Sequence, residues 1–189
     1  MNPNFYDLYE CRHLCKNDID KLHEFTVRKD GGNLANYLDS QAIYDEEEHN
    51  ARVYLVIDKE TQEIAGYFAL KAGFVAVHAK RNLFSKEFDS VPGVELANFA
   101  VNSSYIQNHE NRKGLGAAMF EYCILPIARQ AQEIIGIKFI YIFALPYQAL
   151  IKRYETYGFA RLNKLQERNT HLLIRPRYDE GCTFMYQTL

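Results

Sequence analysis

Val94-Glu95-Leu96-Ala97-Asn98-Phe99-Ala100-Val101 and, a short connection later, Asn111-Arg112-Lys113-Gly114-Leu115-Gly116-Ala117 are the stretches on which the fold turns. The first is apolar on both faces except at Glu95 and Asn98, the pattern of a central strand covered on two sides. The second places two cations before a Gly-x-Gly. Met119, Tyr122, Cys123 and Ile127 then keep helical spacing up to and past Pro126, where a kink is expected. A strand that runs through glycines into a helix presents free N–H groups and the positive end of the helix dipole, with Arg112 and Lys113 alongside. An anion, phosphate above all, suits that geometry. The segment is neither a Walker loop, since no Gly-Lys-Ser/Thr follows, nor a dinucleotide fingerprint, since Met119 occupies the place of the third glycine. By itself it fits phosphate binding and a plain loop-to-helix turn equally.

Upstream, Val53-Tyr54-Leu55-Val56-Ile57 and Ile64-Ala65-Gly66-Tyr67-Phe68-Ala69-Leu70 are β-rich apolar runs around the polar turn Asp58-Lys59-Glu60-Thr61, which predicts a hairpin. Residues 72–92 are mixed and read as an excursion before the next strand, with Lys80, Arg81 and Lys86 beside Phe84 and Phe88. The N-terminal third reads as helix: Asn17-Asp18 caps the run Ile19, Leu22, Phe25 and Val27, and a second segment spans 34–44 before the acidic Asp45–Glu48. Downstream, Phe139–Ala144 reads as a buried strand, residues 146–157 as a helix closed by Gly158, and the tail as two more strands.

The length of 189 residues fits one domain, 1–189, on a prior of roughly 100–200 residues per domain. With 48% hydrophobic and 24% charged residues the composition excludes disorder, collagen and coiled coil as overall descriptions, and a net charge of −2 argues against polyanion binding by bulk electrostatics. No apolar run reaches membrane-spanning length and the first residues lack signal-peptide character, so a cytoplasmic protein away from membranes is expected. Cys11, Cys15, Cys123 and Cys182 form no Cys-x-x-Cys pair, so reduced thiols and no metal are expected.

Glu95–Val101, Asn111–Ala117 and Tyr154-Glu155-Thr156-Tyr157-Gly158-Phe159, in this order and spacing, resemble the core of the GNAT superfamily of acyl-CoA-dependent N-acyltransferases over roughly residues 52–162. The glycine segment resembles that family's (Gln/Arg)-x-x-Gly-x-(Gly/Ala) pyrophosphate loop, with Asn111 as the departure. The last segment resembles its frequent Phe-Tyr-Glu-x-x-Gly-Phe helix ending. The resemblance implies an α/β (α+β) fold, with a mixed, mostly antiparallel central sheet flanked by helices, and acetyl-CoA as acyl donor. Backbone groups near Phe99, Ala100 and Val101 would meet the pantetheine arm. Arg112, Lys113, Gly114, Leu115, Gly116 and Ala117 would hold the pyrophosphate.

Direct attack of an amine on a thioester needs a base, N–H donors for the oxyanion and an acid for the departing thiolate, and no covalent enzyme intermediate. The resemblance implies Glu95 as the base, directly or through water, and Tyr154 as the acid. A solvated strand-end glutamate and a packed helix tyrosine are the bland readings of the same residues, and Cys123 at a core helical spacing reads as packing. A catalytically silent acyl-CoA-binding or regulatory module is the competing class.

Gly66–Gly73 and Ile127-Ala128-Arg129-Gln130-Ala131 resemble, more loosely, the toxin-type branch whose members acetylate aminoacyl-tRNA. Lys152, Arg153, Arg161, Lys164, Arg168, Arg175 and Arg177 outnumber Glu155 and Glu167 between residues 150 and 177, a face that a phosphate backbone would favour. The slight overall acidity weighs toward a small amine or a protein amine and against tRNA. Homodimers fit the family, although no segment identifies an interface.

Overall fold

A computed structural model describes residues 4–28, 31–82, 85–173 and 181–189. Among them are the strands β1 (Tyr9–His13), β2 (Arg52–Asp58), β3 (Ile64–Asn82), β4 (Ser85–Val101), β5 (Phe139–Ala144), β6 (Ala160–Arg161) and β7 (Thr183–Thr188). They form a sheet in the order β1-β2-β3-β4-β5-β7-β6, mixed and mostly antiparallel, as expected of the GNAT-like fold. The chain divides into two compact units, Met1–Lys71 with Leu96–Pro126, and Ala72–Glu95 with Ile127–Leu189.

The first unit holds the expected hairpin, with β2 antiparallel to β3 and a register shift at Val56/Ile57. Its β-branched and aromatic run buries Val53, Leu55, Val56, Tyr67 and Phe68 completely. Two elements here differ from the sequence reading. The N-terminal third is not all helix: after the four-residue α1 (Phe5–Leu8), β1 adds an edge strand with Tyr9 opposite Asp58 and Cys11 opposite Val56. Alternating burial is weak in so short a segment, and its strand state follows from pairing with β2. The connection after Val101 carries α5 (Ser103–Asn108) and a 3₁₀ turn, Glu110–Arg112, instead of open loop. Asn102 caps α5, its Oδ1 accepting the Ser104 amide at 3.1 Å while its Nδ2 donates to the Ile64 carbonyl at 2.8 Å. The remaining helices, α2 (Ile19–Leu22), α3 (Gly32–Ser40) and α4 (Ala42–Glu47), cover the hairpin through Leu22, Leu38 and Ala42, joined by Phe25 from the loop after α2.

The helix after the glycines begins as α6 (Leu115–Met119), widens into a π turn (Phe120–Ile124) and continues as α7 (Leu125–Ile134). Pro126 has no N–H for the carbonyl four residues back, that of Tyr122, and this carbonyl instead accepts the Tyr6 hydroxyl at 2.6 Å. The widened turn stands directly before the proline expected to kink the helix.

In the second unit β5 is buried at every position, parallel to β4 over Gly93↔Phe139, Val94↔Ile140 and Glu95↔Tyr141, and antiparallel to β7. Phe139, Tyr141, Phe143 and Phe184 centre its core. The expected excursion over 72–92 is corrected: β3 runs on to Asn82 and β4 starts at Ser85, with Phe84 outside the described residues. The helix over 146–157 is α8 (Gln148–Thr156), and the tail adds α9 (Lys164–Leu173) to the two expected strands. No helix among the described residues is long and apolar enough to cross a membrane.

Candidate active site

In the first unit, Gly114 stands at φ +88° and opens α6, its carbonyl accepting the amides of Ala117 and Ala118 at 3.0 and 3.2 Å. Nothing lies within 4 Å of where its Cβ would be, so the backbone conformation and not crowding calls for glycine. The N–H groups of Leu115 and Gly116, at the start of the helix, have no acceptor within it. Leu115 and Met119 are buried and fasten the helix to the core, whereas Asn111, Lys113 and Ala117 are exposed and Gly116 is half-buried.

Arg112, half-buried, holds its guanidinium carbon 5.8 Å from the centre of the Tyr9 ring. Its Nε is buried and, among the described residues, has no hydrogen-bond partner. The guanidinium charge beside the helix-start amides of Leu115 and Gly116 suits an anion such as a phosphate.

Beneath Arg112 lies a set of side chains that the sequence reading did not single out. The hydroxyl of Tyr9 is 3.2 Å from that of Tyr105, which donates to Asp58 Oδ2. Asp58 Oδ1 accepts the amides of Glu60 and Thr61 at 2.9 and 3.2 Å. Burial pushes the Asp58 carboxyl up, but Tyr105, the two amides and the Arg112 charge together hold it below the usual carboxylate range. The Asp-x-Glu-Thr turn was visible as a turn, because aspartate commonly caps such amides; its partners Tyr9 and Tyr105 carry no local signal.

Along β4 burial alternates: Leu96, Asn98 and Ala100 are buried, while Glu95, Ala97, Phe99 and Val101 are partly open. Asn98 Oδ1 has no partner among the described residues. The Ala100 carbonyl and Met119 both press on Gly66 of β3, which ties the end of β4 to the helix that follows the glycines.

In the second unit the Tyr141 hydroxyl donates to Glu95 Oε2 at 3.4 Å, and the Tyr141 ring stacks on Phe184 at 5.4 Å. Tyr154, in the last turn of α8, is 5% exposed, with its ring edge-on to Tyr157 and Phe159 at 6.0 and 5.7 Å. Burial raises its pKa, so the phenol keeps its proton at neutral pH, the state an acid requires. The Gly158 and Phe159 amides bond back to the Glu155 and Tyr154 carbonyls, both at 3.0 Å, with Gly158 at φ +92°. The motif Tyr-Glu-x-x-Gly-Phe is thus a helix stop in which residues 154 and 159 also touch.

Cys123 is buried, and a hydrogen bond with Cys11, together with burial, pushes its thiol up, in keeping with packing and not nucleophilic use. Lys152, Arg153, Arg161, Lys164 and Arg168 are exposed; Arg175 and Arg177 lie outside the described residues.

No protein-family model matches the sequence. Among solved structures, a tyrosine-to-phenylalanine variant of KacT is similar at TM-score 0.69 and 15% identity, over 96% of this chain and 95% of that one. AtaT complexed with acetyl-methionyl-tRNAfMet is similar at 0.68 and 16%, over 95% and 94%. AtaTR bound with AcCoA is similar at 0.64 and 17%, over 96% and 94%. At such identities the likeness is one of fold, and this chain has the GNAT-like fold of KacT and of the toxin AtaT.

Proposed function

We propose that the protein is an acetyl-CoA-dependent N-acetyltransferase acting by direct attack of an amine on the thioester. The observation that carries this reading is the glycine turn after β4, where Gly114 opens the helix beside Arg112, whose buried Nε has no hydrogen-bond partner among the described residues. The β4–β5 register ends at Glu95, and the backbone of Phe99–Val101 beyond it suits the pantetheine arm. Arg112–Ala117 hold the pyrophosphate. Glu95 takes the proton from the amine, directly or through water. The nitrogen then bonds to the carbonyl carbon, the tetrahedral oxyanion collapses, the C–S bond breaks, and Tyr154 protonates the thiolate. The products are the amide and CoA.

The acceptor this favours is the α-amine of an aminoacyl-tRNA. Support comes from the AtaT complex and from five exposed cations between Lys152 and Arg168, a stretch to which phosphate backbones are attracted.

Calorimetric titration with acetyl-CoA tests the donor: micromolar binding is expected, lost when Arg112 and Lys113 are changed to glutamate. Release of CoA with aminoacyl-tRNA, set against small amines and peptides, tests the acceptor. Tyr154→Phe should lower kcat about tenfold or more while leaving acetyl-CoA affinity intact. An unchanged kcat removes Tyr154 from the mechanism. Binding without CoA release from any amine identifies a silent module, and no binding at millimolar acetyl-CoA ends the enzyme reading.

A further inference from the structure

We infer that Tyr9, clamped between Phe5 and the Tyr105–Asp58 pair, is a positioning residue that holds Arg112 ready for the phosphates of acetyl-CoA. The inference rests on the donor reading above and adds to it a residue from a distant part of the chain. An arginine on a loop spends its rotamer freedom when it grips a phosphate, and a surface that fixes it beforehand removes that loss. Tyr9 is such a surface. It sits on β1 directly opposite Asp58 on β2, so strand pairing sets its position. Its ring packs on Phe5 at 5.0 Å, and its hydroxyl is held by Tyr105, whose own hydroxyl donates to the buried Asp58.

Arg112 lies over this ring and forms no ion pair with Asp58. The tyrosine hydroxyl occupies Oδ2 and the backbone amides occupy Oδ1, so the carboxylate attracts the guanidinium through space without engaging its donors. The cation is thereby oriented, and its Nε has no hydrogen-bond partner among the described residues. A bidentate salt bridge to Asp58 would have consumed the same donors.

The test compares two donors, acetyl-CoA and S-acetylpantetheine, which carries the thioester arm without the nucleotide phosphates. Tyr9→Leu should raise KM for acetyl-CoA about tenfold, the order of losing a desolvated cation–π contact, with kcat unchanged. Its kcat/KM for S-acetylpantetheine should equal that of the wild type, and Tyr9→Phe, which keeps the ring, should restore KM to within about twofold. An unchanged KM in Tyr9→Leu overturns the inference. So does an equal loss with both donors, which would mark Tyr9 as structural only. Should Tyr9→Leu fail to fold, Tyr9→Met, which keeps a long apolar side chain without an aromatic face, takes its place: a raised KM for acetyl-CoA alone supports the inference, and an unchanged one overturns it. A wild type that uses both donors equally well overturns the phosphate-loop reading itself, a result separate from any variant's.

Discussion

Gly66→Ala probes the contact that ties the glycine-turn helix to the sheet. Gly66 lies in β3 opposite Val56, and a Cβ there would stand 2.5 Å from Met119 Sδ, 2.6 Å from its Cε and 3.0 Å from the Ala100 carbonyl oxygen. Met119 is fully buried, so its thioether has no solvent to swing into, and the carbonyl belongs to the backbone of β4. Overpacking of this kind costs about 1–3 kcal/mol, of which roughly 0.4–1 is offset by the smaller entropy of the unfolded chain with alanine. The net loss of about 0.6–2.6 kcal/mol should lower Tm by roughly 1–10 °C in a chain of this size. Urea unfolding at 25 °C measures it, with an unchanged m-value as the sign that stability alone has moved. Met119→Ala alone should cost about 2–5 kcal/mol through the cavity it leaves. In that background Gly66→Ala should be neutral or stabilising, because the added methyl fills space the thioether has vacated. Equal penalties in the two backgrounds, or a Gly66→Ala protein within about 0.5 kcal/mol of wild type, would refute the proposed clash.

Three further outcomes are expected. Arg12 grips both oxygens of Asp18 at 2.8 and 2.6 Å, and although burial opposes it, this pair and the Cys15 amide bring the Asp18 carboxyl down to about 2. A depressed pKa gives stability that is present above the unfolded value, near 4, and lost as pH falls through the folded one. About 2 kcal/mol should therefore disappear between pH 4 and 2, and Asp18→Asn should flatten that part of the stability curve; an unaltered acid slope would sink the assignment. Gly158→Ala forces a Cβ into φ +92° and to 2.9 Å from Gln187 Nε2, which should cost about 1–2 kcal/mol in thermal unfolding, and a melting curve superimposable on wild type would contradict it. Tyr6→Phe deletes the donor to the Tyr122 carbonyl and should cost about 0.5 kcal/mol, the low end for an exposed hydrogen bond, with faster amide exchange around the π turn as the more sensitive readout.

What the sequence made legible is what is encoded locally. Gly158 announces the end of α8 because only a residue tolerant of positive φ closes such a stop, and Gly114 announces the start of α6 for the same reason. The continuous apolar run of β5 declares a strand covered on both faces, whereas β4, read the same way, buries only alternate residues from Leu96 to Ala100 and leaves Ala97 and Phe99 partly open. The elements missed are those whose state depends on a partner. β1 is five residues that become a strand by pairing with β2, and the mixed polarity of residues 72–92 hides strands whose hydrogen bonds are made by backbone, which composition does not record. The same limit applies to the site. Arg112 was readable as a cation beside glycines, whereas the ring beneath it, more than a hundred residues earlier in the chain, was not.

The departure at Asn111 then takes on a different weight. The GNAT pattern that this loop resembles has glutamine or arginine there, and a loop lacking both would be expected to bind a pyrophosphate poorly. Here residue 111 is exposed in the middle of the 3₁₀ turn Glu110–Arg112, while Arg112, one position on, is half-buried over Tyr9. A planar guanidinium held against an aromatic face offers phosphate a directed set of donors, which an asparagine side chain cannot match in charge or reach. On this reading the charge has not been lost from the loop but moved by one residue. Its new position is tenable because β1 brings Tyr9 to it and the buried carboxylate of Asp58 is already engaged by other donors. Restoring arginine at position 111 should therefore add little to acetyl-CoA affinity while Arg112 stands, and should recover most of what is lost when Arg112 is replaced by alanine; calorimetry on the two variants distinguishes relocation from decay, since a decayed loop would gain from Asn111→Arg in either background.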